Sequence, residues 1–313
     1  ERIIAGSVGK PVEAGTCARI FTGAPMPEGA DTVVPQEEVT VTEAGVHFTK
    51  VPKQGSWVRR IGSDIAVGAT ILRAGDRLTP AAIGTVASIG RAYVTVYRKL
   101  RVGIFFSGNE LVQPGEPLPP GGIYNSNRYM IRSLLQTLGC EALDLGSIPD
   151  TFEATVRALE HASETADVIL TTGGMSVGEE DHLKPAVEAL GALDVWRVKL
   201  KPGKPLAFGH VRGVPYIGLP GNPVSGFVVF LMMARPYLLR RMGMTDIDMK
   251  PQQIRADFEW TKAGDREEFV RVRRNDAGGL DLFHTQDSHV VSICACADGL
   301  ADVPAGAGVK KGD

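Results

Sequence analysis

The sequence has 313 residues, and 43% hydrophobic with 22% charged residues is typical of a globular protein with a buried core. The formal net charge of −2 gives no electrostatic reason to expect nucleic acid or an anionic membrane as a partner. No apolar run reaches the length of about 18 residues that a membrane-spanning helix needs. The cysteines, Cys17, Cys140, Cys294 and Cys296, fit neither a CxxC metal motif nor a disulfide framework, which predicts a cytoplasmic protein.

The first part of the chain, residues 1–58, predicts a small β domain. It is rich in Gly, Pro and β-branched residues, and strand-like pieces occur at residues 30–34, 39–42 and 46–51. Residues 59–98 predict a connector with one helix, because Thr79 is a typical N-cap and is followed by proline.

Residues 99–245 alternate strands with amphipathic helices, which predicts a doubly wound α/β domain. The predicted strands are 102–106, 142–148, 168–170, 195–201 and 214–219, and the predicted helices are 127–138, 151–164, 182–190 and 224–242. Residues 246–313 return to period-two alternation and predict a second β domain. The expected fold is a multidomain α/β protein, with the doubly wound domain between an N-terminal β domain and a C-terminal β-barrel-like domain.

Ligands of an open α/β sheet bind beyond the carboxyl ends of its strands, and three loops at such positions suit an oxyanion. The first loop is residues 171–182, TTGGMSVGEEDH. Gly173 and Gly174 allow backbone N–H groups to approach an anion, and Ser176 adds a hydroxyl. Asp181 can cap the following helix or bind Mg²⁺. The alternative is an ordinary βα turn in which Asp181 is only a cap.

The second loop follows the strand predicted at residues 195–201. Arg197, Lys199 and Lys201 would share one face of that strand, where like charges repel unless they are solvated or face an anion. A Pro-Gly turn then brings Lys204 beside Lys201, which favours an anion site. The alternative is an edge strand protected by lysines.

The third loop, residues 217–225, joins an apolar strand to the last helix of the α/β domain. Pro220 and Pro223 stiffen it, and Asn222 is a good N-cap, so the helix start favours an anion. The alternative is an inert cap.

Three further residues follow the first two strands of the domain. Ser107 and Glu110 lie after the first strand and Asp150 after the second, where either acid would bind a metal or cap a helix. Together, the loops predict a site for phosphate or another oxyanion, with carboxylates that can bring Mg²⁺.

Six motifs in order carry a family resemblance over nearly the whole chain: RIFTGAPMPEGAD, GNE, NSNRYM, TTGGMSVGEEDH, KPGKPLAFG and GLPGNPVSG. They closely resemble the molybdopterin molybdenumtransferases. The α/β part is also similar to molybdopterin adenylyltransferases and to the C-terminal half of gephyrin-type proteins.

The resemblance implies an enzyme that inserts molybdate into adenylylated molybdopterin and releases molybdenum cofactor and AMP, with Mg²⁺ required. It implies an elongated homodimer, to which the connector at residues 59–98 contributes, and other molybdenum cofactor synthesis proteins as partners. The alternatives are an adenylyltransferase that acts one step earlier and a gephyrin-like scaffold that binds a peptide.

The resemblance also implies site residues. Those with catalytic roles are Asp181, Lys201, Lys204, Arg197, Asp150 and Glu110, and the Mg²⁺ ligands among them are Asp181 and Glu110. The residues that bind the ligands are Thr22, Ser107, Gly173, Gly174, Ser176, Pro220, Asn222, Pro223 and Ser288. The first loop is expected at the adenylate and Mg²⁺ end, and the other two at the molybdate and pterin-phosphate end.

The sequence departs from the family pattern at two acids. Asn109 and Asn125 stand where the family often has aspartate, so hydrogen bonding is kept and charge is lost. The family also has an earlier segment with a Met-Asp-Gly motif, a site aspartate and part of the dimer interface. We therefore expect this stretch of chain by itself to bind ligand but to be catalytically incomplete.

Overall fold

The fold is known from a computed structural model, which describes residues 1–174, 182–261 and 264–313. Ser176 and Asp181, two of the predicted site residues, lie outside the described residues. The chain divides into two units, Glu1–Ile71 and Leu72–Asp313. The finer boundaries at residues 58, 98 and 245 stay predictions.

The first unit holds two small sheets. Its strands are β1 (Arg2–Ile3), β2 (Arg19–Ile20), β3 (Val39–Thr42) and β4 (Gly45–Phe48), and a 3₁₀ turn at Gln36–Glu38 precedes β3. β1 pairs with β2 in parallel, and β3 forms an antiparallel hairpin with β4. The hairpin confirms the strand predicted at residues 39–42. The strand predicted at 46–51 is present but ends earlier, at Phe48.

The strand predicted at residues 30–34 is wrong. This segment has no strand conformation, although Val33 N donates to Ser56 O at 3.0 Å. Two polar side chains within it bind the turn before Ser56 instead, since Thr32 Oγ1 accepts from Gly55 N at 3.1 Å and Asp31 accepts from Gln54. Such side-chain bonds compete with a strand ladder.

The second unit begins with helix α1 (Pro80–Ser88), where Thr79 Oγ1 accepts the predicted cap bond from Ala82 N at 3.2 Å. The elements of the α/β region follow in chain order: β5 (Arg101–Ser107), β6 (Leu111–Val112), β7 (Ile123–Tyr124), α2 (Ser126–Leu138), β8 (Glu141–Ile148), α3 (Phe152–Thr165), β9 (Val168–Thr172), α4 (Leu183–Leu190), β10 (Gly191–Arg197), β11 (Leu200–Lys201), β12 (Pro205–Val211), β13 (Val214–Leu219), α5 (Pro223–Val229), a π-helical turn (Phe230–Ala234) and α6 (Arg235–Arg241).

Six of these strands form one sheet in the order β10-β12-β13-β9-β5-β8. The last four are parallel, and β12 runs antiparallel to both of its neighbours. Ile104 and Phe106 of β5 pack on the side of α2 and α5, whereas Phe105 packs on the side of α3 and α4. Helices thus cover both faces, which confirms the doubly wound fold class.

The strand predicted at residues 195–201 is wrong in its extent. β10 ends at Arg197, and β11 belongs to a different sheet. The missed strand β12 pairs with β10 and brings the chain back antiparallel, without the helical crossover that joins parallel strands. The cations of the second loop therefore do not share one strand face.

The helix predicted at residues 224–242 is confirmed as three successive helical segments. Its π turn ends at Ala234, two residues before Pro236, whose missing N–H cannot continue an α-helical hydrogen-bond ladder.

The C-terminal part forms the expected second sheet region. Its elements are β14 (Glu267–Arg274), β15 (Leu280–Leu282), α7 (Val291–Cys296) and β16 (Gly299–Val303). β14 pairs in parallel with β11 and antiparallel with β15 and β16. The second predicted loop is therefore joined directly to the C-terminal sheet. Among the helices in the described part of the chain, none has the length and hydropathy needed to cross a membrane.

Candidate functional site

The carboxyl ends of the parallel strands meet at one edge of the six-stranded sheet. Leu219 at the end of β13 pairs with Thr172 at the end of β9, which in turn pairs with Phe106 of β5. Arg197 at the end of β10 pairs with Pro205 at the start of β12, which runs the opposite way. All three predicted loops therefore begin at this edge.

Glycines let the loops at this edge touch through their backbones. A Cβ on Gly173, where φ is +88°, would lie 2.7 Å from Ser107 O, so alanine does not fit without a shift. A Cβ on Gly221 would lie 3.4 Å from Gly173 Cα, and Gly173 N donates to Leu219 O at 3.3 Å. Gly174 also has a positive φ of +59°. Backbone turns of this kind can direct N–H groups at an anion.

Two of the predicted carboxylates lie at the turn that follows β5. The Ser107 hydroxyl donates to Asp150, whose other oxygen accepts from Asn109 N at 3.0 Å. Asp150 N donates to Asn109 Oδ1 at 3.3 Å, which ties the two loops together. A Cβ on Gly108 would lie 2.7 Å from Glu110 Oε2, so the exposed Glu110 carboxylate folds back over the same turn.

The oxygen donors at this turn fit Mg²⁺, which is usually held by one or two carboxylates together with substrate phosphates. Asp150 and Glu110 supply such carboxylates. Within the described residues, no group of three His, Cys, Asp or Glu side chains could hold a metal ion. The donor set thus suits an ion shared with a phosphate ligand rather than one enclosed by protein.

A basic cleft lies where the second loop meets the C-terminal sheet. Its volume is about 530 Å³, and its lining consists of Arg197, Val198, Lys199, Lys204, Asp265 and Arg266. Four cations and one acid leave a local positive charge in a chain whose net charge is −2. The structure thus brings together the predicted Arg197 and Lys204 and adds Arg266, which the sequence patterns did not single out.

Lys201, also predicted for this site, has a carboxylate partner. Its Nζ lies 3.1 Å from both carboxylate oxygens of Glu268 and 5.9 Å from the ring centre of Trp260. Trp260 Nε1 donates to Glu268 at 3.1 Å. The Glu268 side chain is only 5% exposed, so Lys201 balances a buried charge. Its catalytic role stays a prediction.

The third loop contacts the C-terminal region at another predicted residue. Asn222 Nδ2 donates to Ser288 Oγ at 3.1 Å, and Ser288 O accepts from Val224 N at 3.0 Å. Asn222 occupies the predicted N-cap position of α5 but makes no side-chain cap bond there. Pro220 precedes it and Pro223 is the first residue of α5. Thr22 is an exposed turn residue of the unit Glu1–Ile71.

Three family models match the chain in sequence order. They are described as the MoeA N-terminal region (domain I and II), over residues 2–90, a probable molybdopterin binding domain, over residues 103–240, and the MoeA C-terminal region (domain IV), over residues 253–313. A molybdopterin molybdenumtransferase of Haemophilus influenzae is 41% identical over 283 residues, which cover 88% of this chain and 70% of that protein. The chain belongs to the molybdopterin molybdenumtransferase family.

Further relatives agree with this family. Molybdopterin molybdenumtransferase 2 of Mycobacterium tuberculosis is 33% identical over 299 residues, which cover 92% of this chain and 73% of that protein. Two crystal structures of a molybdopterin biosynthesis MoeA protein from Pyrococcus horikoshii superpose with TM-scores of 0.82 and 0.76, at 25% and 28% identity. Each superposition covers 100% of this chain and 78% of the chain in the crystal structure.

Arg271 is a buried cation of this family member that the sequence patterns did not assign to the site. It is 1% exposed, and its Nη2 donates at 3.2 Å to the carbonyl of Asp287, the residue before Ser288. Its Nε has no partner among the described residues, and burial lowers the pKa of the guanidinium. The sequence feature that could have indicated its burial is the period-two pattern, in which Arg271 shares a strand face with the buried Phe269.

The two amides that replace common family acids have structural partners. Asn125 Oδ1 accepts from Arg128 N at 3.0 Å as the N-cap of α2, and its Nδ2 donates to Ser147 Oγ at 3.3 Å. Asn109 bonds Asp150 as described above. Asn125 therefore provides a helix cap that aspartate would provide equally well.

Proposed function

We propose that this family member inserts molybdate into adenylylated molybdopterin and releases AMP and molybdenum cofactor, with Mg²⁺ as its cofactor. The observation that carries the proposal is the convergence of glycine turns, carboxylates and basic loops at one sheet edge. Relatives that match most of this chain are named molybdopterin molybdenumtransferases.

The basic cleft has a physical task in this reaction. Molybdate and the phosphoanhydride are both anions, and two unit charges 4 Å apart repel by roughly 4 kcal/mol at an effective dielectric of about 20. Arg197, Lys204 and their neighbours in the cleft offset this repulsion. The same cations stabilise negative charge that develops as AMP leaves.

The two ends of the site have different donors. The turn at Gly173 and Gly174 offers backbone N–H groups for the adenylate phosphate, while the basic cleft and the loop at Asn222 serve molybdate and the pterin phosphate. Glu110 and Asp181 would hold Mg²⁺, with Asp150 as a supporting carboxylate. The ion supplies charge neutralisation at the phosphate when it is bound.

We also propose that the protein is a homodimer. Helix α1 buries none of its residues, and its Ile83 is 56% exposed. The stretch that follows exposes Tyr93, Val96 and Tyr97, at 92%, 60% and 67%. Apolar surface of this extent favours burial against a second copy.

A cytoplasmic location belongs to the same proposal. The four cysteines are all free, as expected in a reducing compartment. Other molybdenum cofactor synthesis proteins would then supply the pterin substrate and accept the product.

The experiment that tests the function measures AMP release by the full-length protein from adenylylated molybdopterin, with and without molybdate. Release that requires both molybdate and Mg²⁺ is expected. Consumption of ATP with molybdopterin and without molybdate would instead identify an adenylyltransferase, and peptide binding without any AMP release would identify a scaffold.

A matched pair of variants ties that activity to the cleft. The double substitution Arg197→Met and Lys204→Met should lower AMP release at least tenfold, or about 1.4 kcal/mol. Lys250→Met removes one positive charge, from an exposed pair with Asp246, and should leave release unchanged. Equal activity of the two variants would exclude the cleft from the reaction.

A further inference from the structure

One buried amide lies between the two ends of the proposed site. Asn127, in the first turn of α2, is 8% exposed. Its Nδ2 donates to Gly221 O at 2.7 Å and approaches Thr172 Oγ1 at 3.4 Å. Thr172 ends β9 directly before the glycine turn, and Gly221 lies in the loop before α5. A single side chain thus bonds the loops assigned to the adenylate and to molybdate.

The orientation of this amide is set by its partner. Gly221 O is an acceptor only, so the NH₂ group must face it, and a flipped amide would place two oxygens together. The other atom of the amide, Oδ1, is buried and has no hydrogen-bond partner among the described residues. A buried acceptor without a partner lowers stability.

An apolar side chain of similar size would avoid that cost. Gly221 itself is exposed, so its carbonyl can bond to water without Asn127. Stability alone therefore gives little reason for an asparagine here. The contact matters instead for the position of the Gly221 loop, which lies against the turn at Gly173: a Cβ on Gly221 would be 3.4 Å from Gly173 Cα.

We infer that Asn127 is a positioning residue that holds the Gly221 loop in register with the glycine turn after β9. It sets the alignment of the two reactants rather than the affinity for either one. This inference rests on the proposed function for its catalytic consequence. A misplacement of about 1 Å between reacting groups can cost about 100-fold in rate, so the effect belongs in kcat.

The test compares Asn127→Leu with Thr155→Val. Thr155 is also buried, and among the described residues its hydroxyl bonds only the N-cap carbonyl of its own helix, Thr151 O, 2.8 Å away. Asn127→Leu should lower kcat for AMP release at least tenfold while both KM values change less than about twofold. Its thermal midpoint should equal or exceed that of the wild type, and Thr155→Val should keep kcat. Unchanged kcat, or a loss that parallels a lower thermal midpoint, would overturn the inference.

A second variant makes the contact depend on pH. The carboxyl introduced by Asn127→Asp repels Gly221 O when ionised and donates a hydrogen bond to it when protonated. Burial favours the protonated form. Relative to the wild type, the kcat of Asn127→Asp should therefore recover as the pH falls from about 8 to about 6. A constant ratio of the two kcat values over this range would contradict the role of the donor.

Hydrogen exchange gives a readout that does not need the reaction. The Gly173 amide donates to Leu219 O at 3.3 Å, across the two loops that Asn127 joins. Its exchange should be at least tenfold faster in Asn127→Leu than in the wild type or Thr155→Val. If the exchange rate of the Gly173 amide is unchanged, the positioning role is refuted, even if the protein has no transferase activity. If exchange is faster in Asn127→Leu but the wild-type protein releases no AMP, only the proposed function is refuted.

Discussion

Lys201 and Glu268 form an ion pair with unequal burial, because the lysine side chain is 40% exposed and the glutamate side chain 5%. The pair joins the second loop of the site to β14, at the point where β11 and β14 run side by side. Neutralising one partner should therefore change the stability of the protein by a different amount than neutralising the other.

Lys201→Met should lower the free energy of unfolding by about 3 kcal/mol, because it leaves a buried carboxylate without its cation. Glu268→Gln should cost only about 1 kcal/mol, because the lysine can turn into water. Urea unfolding measures both. The exposed pair of Lys250 and Asp246 provides the control, and Lys250→Met should have almost no effect. Equal losses for Lys201→Met and Glu268→Gln would contradict the unequal burial.

Gly173 should tolerate alanine less well than Gly213 does. Both have positive φ values, +88° and +82°, but a Cβ on Gly213 has no atom within 4 Å. Gly213→Ala should therefore lower the free energy of unfolding by about 1 kcal/mol, which is the cost of the left-handed backbone conformation alone. Gly173→Ala adds a contact with Ser107 O and should cost more, with lower AMP release. Thermal unfolding and the AMP assay measure the two effects, and equal costs would show that the loops at the sheet edge are not tightly packed.

Mg²⁺ dependence should identify the metal-binding acids. Removal of divalent ions with EDTA should stop AMP release, and Mg²⁺ should restore it. Glu110→Gln and Asp181→Asn should each raise the half-saturating Mg²⁺ concentration about tenfold, or roughly 1.4 kcal/mol. Glu116→Gln, at another exposed acid after β5, is the control and should behave like the wild type. Unchanged Mg²⁺ titrations for both site variants would exclude these carboxylates as ligands.

Acid stability should depend on Asp167. The guanidinium of Arg98, which bonds this carboxylate at 2.6 and 2.8 Å, holds the pKa of Asp167 well below its usual value, with further bonds from Arg101. A carboxyl with a lowered folded pKa stabilises the protein above its unfolded pKa of about 3.9, and this contribution is lost as the pH falls further.

Asp167→Asn should therefore lower the urea midpoint at neutral pH, and its difference from the wild type should shrink below about pH 4. Urea unfolding at a series of pH values measures this difference. Glu153→Gln, an exposed acid in the first turn of α3, is a control that should keep the wild-type pH dependence. A difference that stays constant with pH would show that the Asp167 charge is not responsible.

Local sequence patterns predicted the elements whose causes are local. Thr79 caps α1 as expected, and Thr151 caps α3 in the same way, since each bonds an N–H three residues later. Gly139 ends α2 with a positive φ of +92°. The apolar run of β9 and the helices around it predicted the doubly wound fold, because burial on both faces of a sheet leaves a recognisable pattern.

Nonlocal pairing was not predictable in this way. The charged run after residue 195 looks like one strand, but it divides because β12 pairs with β10 while residues 200–201 pair with β14. No local pattern places Glu268 beside Lys201 or Arg266 in the basic cleft, since Glu268 is 67 residues after Lys201 and Arg266 directly precedes the same strand, β14.

The sequence by itself determined the family, the helices of the α/β region and the identity of the anion-suited loops, since these follow from motifs and from bonds between residues a few positions apart. Tertiary structure alone decided which side chains those loops contact. Asn127 and Gly221 are 94 residues apart in sequence, and their hydrogen bond exists only because α2 and the loop before α5 meet at one sheet edge. The free energy of such a contact depends on the packing of the whole sheet, which no short stretch of sequence records.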